Sequence, residues 1–286
     1  MNSSSSFSTG IIKVNETGAR HTDDILATEE PLEIRIGFGS ALQRSQKSIS
    51  VTMRTPGNDF ELAAGFLFTE GIISGTEDIQ LIKHCNGFHE NVVQVELKDD
   101  VPVELDRLQR NFYTTSSCGV CGKSSIEAIK SVCRLPATNE ETLLFSSEIL
   151  YALPAILRSS QDVFDCTGGL HACGLFDASG KLLLSREDVG RHNALDKLIG
   201  AALHQSMFPL DPYIVLLSGR ASFELIQKAW MAGIKMVAAV GAPSSLAVKM
   251  AGDFGMTLVG FLRNRTFNIY SGAHRIKTIY ENSYQG

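Results

Sequence analysis

The residues that most restrict what this chain can fold into are Tyr213-Ile214-Val215-Leu216-Leu217, an unbroken apolar run. A strand with one wet face alternates apolar and polar positions; a continuous run is a strand buried on both faces. The residues that follow keep the same logic. Ala221 to Ala232 has helical spacing, Lys235 to Val240 is a second strand, Ser244 to Gly252 a second helix and Met256 to Phe261 a third strand. Strand, helix, strand, helix, strand implies right-handed crossovers and a parallel sheet, with ligands at the carboxyl ends of its strands. Those ends carry polar loops: Ser218-Gly219-Arg220-Ala221-Ser222, Gly241-Ala242-Pro243-Ser244-Ser245 and Arg263-Asn264-Arg265-Thr266. Hydroxyl residues at helix N-termini with arginines beside them hold phosphate oxygens well. Ser218, Arg220 and Ser222 are therefore candidate ligand contacts. An Arg220–Glu224 ion pair one helical turn apart is the plainer reading of Arg220, and the strand-end position favours ligand contact over it. The chain has no GxGxxG and no Walker A motif, so neither a standard dinucleotide site nor a P-loop is indicated.

The remainder divides around one loop. Residues 1–30 read as an unstructured tail, Ser-rich from Met1 to Thr9, without the basic and apolar regions of a secretory signal. Residues 31–110 read as a small α+β subdomain. Leu32–Phe38 and Ser48–Met53 alternate as strands, and a helix begins at Asn58 or Asp59 and ends near Gly71. Strands over Leu81–Cys85 and Val92–Leu97 follow. Residues 111–123 form a mobile loop carrying Cys118-Gly119-Val120-Cys121. Residues 124–286 then make an α/β domain whose first helix opens on the capping pattern Ser124-Ser125-Ile126-Glu127 and stops at Leu135-Pro136. A further helix from Ser147 carries Pro154, which should kink or shorten it. Asp177-Ala178-Ser179-Gly180 marks a hairpin.

Cys118 and Cys121 are placed for sulfur chemistry. A helix N-terminus just downstream, and Lys123, favour thiolate over thiol. With six cysteines in 286 residues and no export signal, the expected compartment is the reducing cytoplasm, where a CxxC is a redox pair, a metal half-site or a sulfur carrier. The zinc reading needs a second half, and Cys166, His171 and Cys173 offer only an irregular C-x4-H-x-C spacing. The thioredoxin reading needs a strand running straight into the motif, and Thr114 to Ser117 is a poor one. In Glu187 to Lys197, Arg191, His192 and Asp196 are balanced between a solvated helix start capped by Asp188 and a functional segment. A net charge of −5 lends no support to nucleic-acid binding, and the absence of any apolar stretch of about 18 residues argues against a membrane span.

Taken together, these pieces resemble the FdhD family of formate dehydrogenase accessory sulfurtransferases over about Pro31 to Tyr270. The marks are Thr55-Pro56, Ala64-Gly65-Phe66, Thr69-Glu70-Gly71-Ile72-Ile73, Cys118-Gly119-Val120-Cys121-Gly122 and Thr167-Gly168-Gly169-Leu170-His171-Ala172. They continue with Glu187 to Lys197, Ser218 to Glu224, Val259-Gly260-Phe261 and Phe267-Asn268-Ile269-Tyr270. The resemblance implies a cytoplasmic sulfur carrier. It takes sulfur from a cysteine desulfurase as a persulfide on Cys118, with Cys121 as partner, and passes it to the bis-guanine-dinucleotide molybdenum or tungsten cofactor. The formate dehydrogenase catalytic subunit receives that cofactor. Its cofactor-binding segment falls on Phe261-Leu262-Arg263-Asn264-Arg265-Thr266, with the departure that the family's arginine at the last position is Thr266 here. The implied fold is similar to cytidine deaminases, three-layered with a largely parallel sheet, and usually a homodimer. The deaminase HxE and PCxxC zinc signature is missing, so no deamination and no permanent metal are expected. The alternative from another class is a zinc-stabilised cofactor chaperone without sulfur transfer.

Overall fold

A computed structural model describes residues 5–85, 91–99, 101–103 and 143–278. Cys118, Cys121, the loop over 111–123 and the helix expected after it lie outside the described residues. The first elements are β1 (Ser6–Asn15), β2 (Gly18–Ala27), β3 (Glu30–Phe38), β4 (Ser45–Arg54) and α1 (Asp59–Thr69). β5 (Ile79–His84), β6 (Val92–Leu97), β7 (Phe145–Ser146), α2 (Ser147–Arg158) and α3 (Asp162–Thr167) follow. Then come β8 (His171–Phe176), β9 (Leu182–Asp188), α4 (Arg191–His204), β10 (Ile214–Leu217), α5 (Phe223–Met231) and β11 (Met236–Ala239). α6 (Ser245–Asp253), β12 (Thr257–Arg263), β13 (Thr266–Ser271) and β14 (Ile276–Lys277) close the chain. Among the described residues no helix is long and apolar enough to cross a membrane.

The large sheet has the order β13-β12-β11-β10-β8-β9. Its parallel character is confined to the trio β10, β11 and β12, as the three apolar runs require; β8, β9 and β13 are antiparallel additions. One face packs on α2 through Leu150, Leu153 and Leu157, all buried, each worth about 1.5–3 kcal/mol of apolar burial. Ser146 caps that helix on the Glu148 amide, and the helix continues through Pro154 to Arg158 rather than stopping there. The other face packs on α4, α5 and α6. The second sheet, β4-β3-β6-β5, shares that same core through Leu32, Ile34, Ile36, Val93 and Val95. The N-terminal α+β part and the C-terminal sheet are thus joined by one apolar interior.

Helix α1 crosses α4 at two glycines. A Cβ on Gly65 would run into the Asp196 carbonyl, and one on Gly200 into the Glu61 carbonyl. Because both obstacles are backbone, neither can rotate away. Gly200→Ala is expected to lower stability by about 3 kcal/mol, read as a shift in the urea midpoint at unchanged slope; a wild-type midpoint would show the crossing to be slack.

Of the expected unstructured tail over residues 1–30, the described part, from residue 5, is ordered. β1 and β2 pair antiparallel along their whole length, from Ser6 opposite Ala27 to Asn15 opposite Gly18. The Ser-rich opening conceals the β-formers Phe7, Thr9, Ile11 and Val14, whose partners lie on the following strand and so leave no local signal.

Candidate functional site

The carboxyl ends of β10, β11 and β12 converge, and backbone bonds sew their loops into one floor. Gly241 N–H donates to Gly219 O at 2.9 Å, Ala221 N–H to Ala242 O at 3.2 Å, Ser244 N–H to Ala221 O at 3.0 Å and Phe261 N–H to Gly241 O at 3.0 Å. The seam closes this tightly because Gly241 has no Cβ; one there would lie 2.9 Å from Gly219 O and 3.0 Å from the Arg220 nitrogen. Ser218 sits in the seam, but its hydroxyl accepts from the Ala172 amide at 2.8 Å while its own amide donates to Ala172 O at 2.9 Å. It is therefore a strut joining β8 to β10. Its effect is to hold the neighbouring His171 against the loop.

Four cationic or basic side chains gather above this floor. His171 opens β8, Arg191 and His192 open α4, and Arg220 lies in the loop after β10. The His171 pKa is lowered by burial first and then by Arg191, His192 and Arg220, with Asp188 opposing. The Arg191 Nε is buried without a hydrogen-bond partner among the described residues. An orphaned buried donor of that kind costs free energy unless a ligand meets it. Helix α5 starts at the same place, and its N-cap Ser222 makes no side-chain bond to the first-turn amides. Its hydroxyl instead lies 3.2 Å from His192 Nε2, which is itself 3.0 Å from Glu224 Oε2. Glu224 thus pairs across to α4. With first-turn amides and the positive end of the dipole pointing the same way, the site favours an anion bearing several oxygens.

The segment Glu187 to Lys197 separates into two functions. Most of it is a buried lock. Asp188 takes Lys197 at 2.7 Å, the Thr55 amide at 3.2 Å, the Gly190 amide at 2.8 Å and Asn193 Nδ2 at 3.1 Å. Lys197 also donates to Thr55 O at 2.8 Å, and Val189 N–H to Thr55 Oγ1 at 3.1 Å. Glu187 caps α3 on the Val163 and Phe164 amides. Asp196 is likewise buried, against Lys228 and Thr69. Only Arg191 and His192 are left to face the site.

The segment Phe261 to Thr266 is also not uniform. Leu262 is fully buried in the core under α2, so its side chain is structural. Asn264 and Arg265 both have positive φ, 52° and 56°, the signature of a two-residue type I′ turn joining β12 to β13. Arg265 reaches α2, bonding Glu148 Oε2 at 2.7 Å over the Tyr151 ring, and Thr266 Oγ1 donates to Arg263 O at 2.9 Å. Phe261, at φ 54°, and the exposed Arg263 stack loosely, 5.8 Å from guanidinium carbon to ring centre. Of the two arginines, Arg263 is the one without an acidic partner among the described residues.

Of the three residues offered as the second half of a zinc site, the structure removes Cys173; Cys118 and Cys121 lie outside the described residues. Cys173 is 1% exposed inside the apolar core, and burial, then Asp196 and Asp188, push its thiol far above the ordinary cysteine value. Such a thiol is a core residue, not a ligand. Among the described residues, no group of three or more His, Cys, Asp or Glu is arranged to hold a metal.

A family model described as the FdhD/NarQ family matches residues 27–277. A sulfur carrier protein FdhD from Mycolicibacterium paratuberculosis is 56% identical over 261 residues, covering 88% of this chain and 92% of that one. One from Streptomyces coelicolor is 48% identical over 93% of this chain and 94% of its own. One from the archaeon Sulfolobus acidocaldarius is 41% identical over 93% and 96%. A crystal structure of a candidate formate dehydrogenase accessory protein from Desulfotalea psychrophila superposes with a TM-score of 0.72 at 24% identity. It covers 95% of this chain and 99% of that one, which establishes the shared fold.

Proposed function

The chain belongs to the FdhD/NarQ family, and from that premise we propose that it is a sulfur carrier for formate dehydrogenase maturation. Its relatives bear the name sulfur carrier protein. The observation that carries the reading to a substrate is the cationic floor at the strand ends, where the buried Arg191 Nε, Arg220, His171 and the open N-terminus of α5 converge. A guanine-dinucleotide molybdenum or tungsten cofactor brings diphosphates, and diphosphates are what such a floor binds. The cofactor is the substrate here, not a resident group.

The sulfur steps fall to Cys118 and Cys121. The Cys118 thiolate attacks the outer sulfur of a cysteine desulfurase's persulfide. The donor S–S bond breaks, the desulfurase cysteine leaves as thiolate, and a new S–S bond forms on Cys118. The Cys121 thiolate then attacks the inner sulfur of Cys118. A Cys118–Cys121 disulfide forms and the outer sulfur leaves as hydrosulfide to the cofactor metal. The dithiol supplies the two electrons, and a cellular dithiol reductant restores it. In this reading the carrier works in the cytoplasm as a homodimer and delivers to the formate dehydrogenase catalytic subunit.

Mass spectrometry after incubation with a cysteine desulfurase and cysteine tests the first half: one added sulfur on Cys118 is expected, and an unmodified Cys118 would refute it. The floor is tested by Arg220→Ala. Losing one guanidinium–phosphate contact should weaken binding of the guanine-dinucleotide cofactor by about tenfold to a hundredfold in equilibrium binding; unchanged affinity would move the substrate elsewhere.

A further inference from the structure

His171 is the member of the site that neither the sulfur steps nor the arginines account for. Its position is set from three sides. Asp188 is its partner in the β8–β9 ladder, and the reciprocal Ala172–Ser218 bonds lock the next residue to the end of β10. On the third side is Gly219, so close that a Cβ there would lie 3.2 Å from His171 Nδ1. Strand pairing thus fixes the backbone of His171, and its ring lies beside Gly219.

The charged groups around it are unevenly matched. Arg191 and His192 face it from α4, and Arg220 from the loop after β10. The acidic group opposite it on the sheet is Asp188, whose oxygens are already taken by Lys197, Asn193 and two amides, and the adjacent Glu187 caps α3. Glu224, on α5, is engaged by His192. Burial, followed by Arg191, His192 and Arg220, holds the His171 pKa below the usual histidine value, against the weaker pull of Asp188. An imidazole so placed is a poor cation alone. It becomes a good one as soon as negative charge enters between the guanidinium groups.

We propose that His171 is a further substrate-contacting residue, which takes a proton from solvent when a diphosphate diester enters between Arg191 and Arg220 and then donates it in a hydrogen bond to a phosphate oxygen. The inference rests on the reading of this site as the diphosphate floor. It makes substrate grip depend on protonation: binding takes up a proton, and loss of that proton favours release. The sign follows directly. As pH rises from the lowered free-state pKa of His171 to its bound-state pKa, binding must recruit a proton that is increasingly scarce, so affinity falls by up to about tenfold per pH unit and levels off above that window.

The probe is diguanosine 5′,5′-diphosphate, whose phosphates are both diesters and do not titrate near neutrality. Calorimetric titration of the full chain in buffers of different ionisation enthalpy counts the protons taken up at about neutral pH. Uptake approaching one proton is expected for the wild type. His171→Asn, which keeps a hydrogen-bonding side chain and cannot be charged, should bind with no uptake and with an affinity that no longer varies with pH. The His171 ring signals of the 15N-labelled wild type give a readout that needs no variant: they should move to the protonated position as the probe is added. Binding without proton uptake, ring signals that stay in the neutral position, or uptake that persists in His171→Asn would each overturn the inference while leaving the diphosphate floor intact. Failure of the wild type to bind the probe at all would overturn both.

Discussion

Cys118→Ala should leave formate dehydrogenase without measurable activity in cells whose only sulfur carrier is the variant, at a thermal midpoint equal to that of the wild type. The reason is stoichiometric. In the proposed route every sulfur atom delivered first forms an S–S bond to Cys118, and Cys121 serves to expel it rather than to receive it. The midpoint should hold because Cys118 lies in a polar Thr-Ser-Gly sequence with no apolar period that would tie it to a core. Cys121→Ala separates the two steps: it should accumulate persulfide on Cys118 and release little of it, since the thiolate that expels hydrosulfide is gone. Wild-type activity from Cys118→Ala would remove the sulfur-carrier reading. Persulfide found on Cys121 with activity retained would exchange the two roles.

The second large effect is on stability, at Lys228. Its Nζ donates to Asp196 Oδ2 at 2.9 Å and Oδ1 at 3.1 Å, to Thr69 Oγ1 at 2.9 Å and to Glu70 Oε1 at 3.3 Å, all within the core between α1, α4 and α5. Burial pushes the Asp196 carboxyl up, and Lys228 and Thr69 pull it back; burial also opposes the Lys228 charge, which the Asp196 and Glu70 carboxylates restore and raise. Asp196 receives Lys228 on both oxygens and the Thr69 hydroxyl at 2.8 Å, so each oxygen of the carboxylate is hydrogen-bonded. Lys228→Met leaves a buried carboxylate with one hydroxyl for company and should cost about 3–5 kcal/mol in denaturant unfolding. The loss should shrink as pH falls. A carboxyl whose folded pKa is raised contributes most stability below its unfolded pKa and loses it as pH rises through the folded value. Lys228→Met with Asp196→Leu removes both charges and should recover most of the loss. A Lys228→Met chain as stable as the wild type would mean that the pair contributes nothing.

These two residues also show where legibility in sequence stops. Cys118 announces itself, because a CxxC ahead of a capping box is chemistry written in adjacent letters. Asp196 and Lys228 do not, since they lie on different helices and each alone resembles a solvent-facing charge. The same holds for the site. Arg220 and Ser222 were legible as strand-end residues once β10 was recognised by its apolar run. His171 was legible as one of several unattached zinc candidates and as part of a family mark without a role, because nothing local says that β8 runs antiparallel to β10 and so brings its first residue to that strand's last. Arg191 and His192 were balanced between roles for the opposite reason: their segment is mostly a buried lock on Thr55, and a lock and a ligand site leave the same residue types in a row.

The segment Phe261 to Thr266 gives the same lesson within six residues. Read in line it is one binding stretch; folded, Leu262 enters the core under α2, Arg265 turns to Glu148 and Arg263 stays exposed. The alternation of a strand, and then the sharp reversal of a type I′ turn, send neighbours in sequence to different faces.

What the amino-acid order determined by itself was the three buried strands and their helices, the polar loops at the strand ends, and the family. Tertiary structure alone decided which charges are spent on holding the fold and which are left for a ligand. It did so because a side chain's pairing is set by what packs against it across 30 to 160 residues of chain, as Thr55 with Lys197, Thr69 with Lys228 and His171 with Gly219 show. Local periodicity carries no information about those distances.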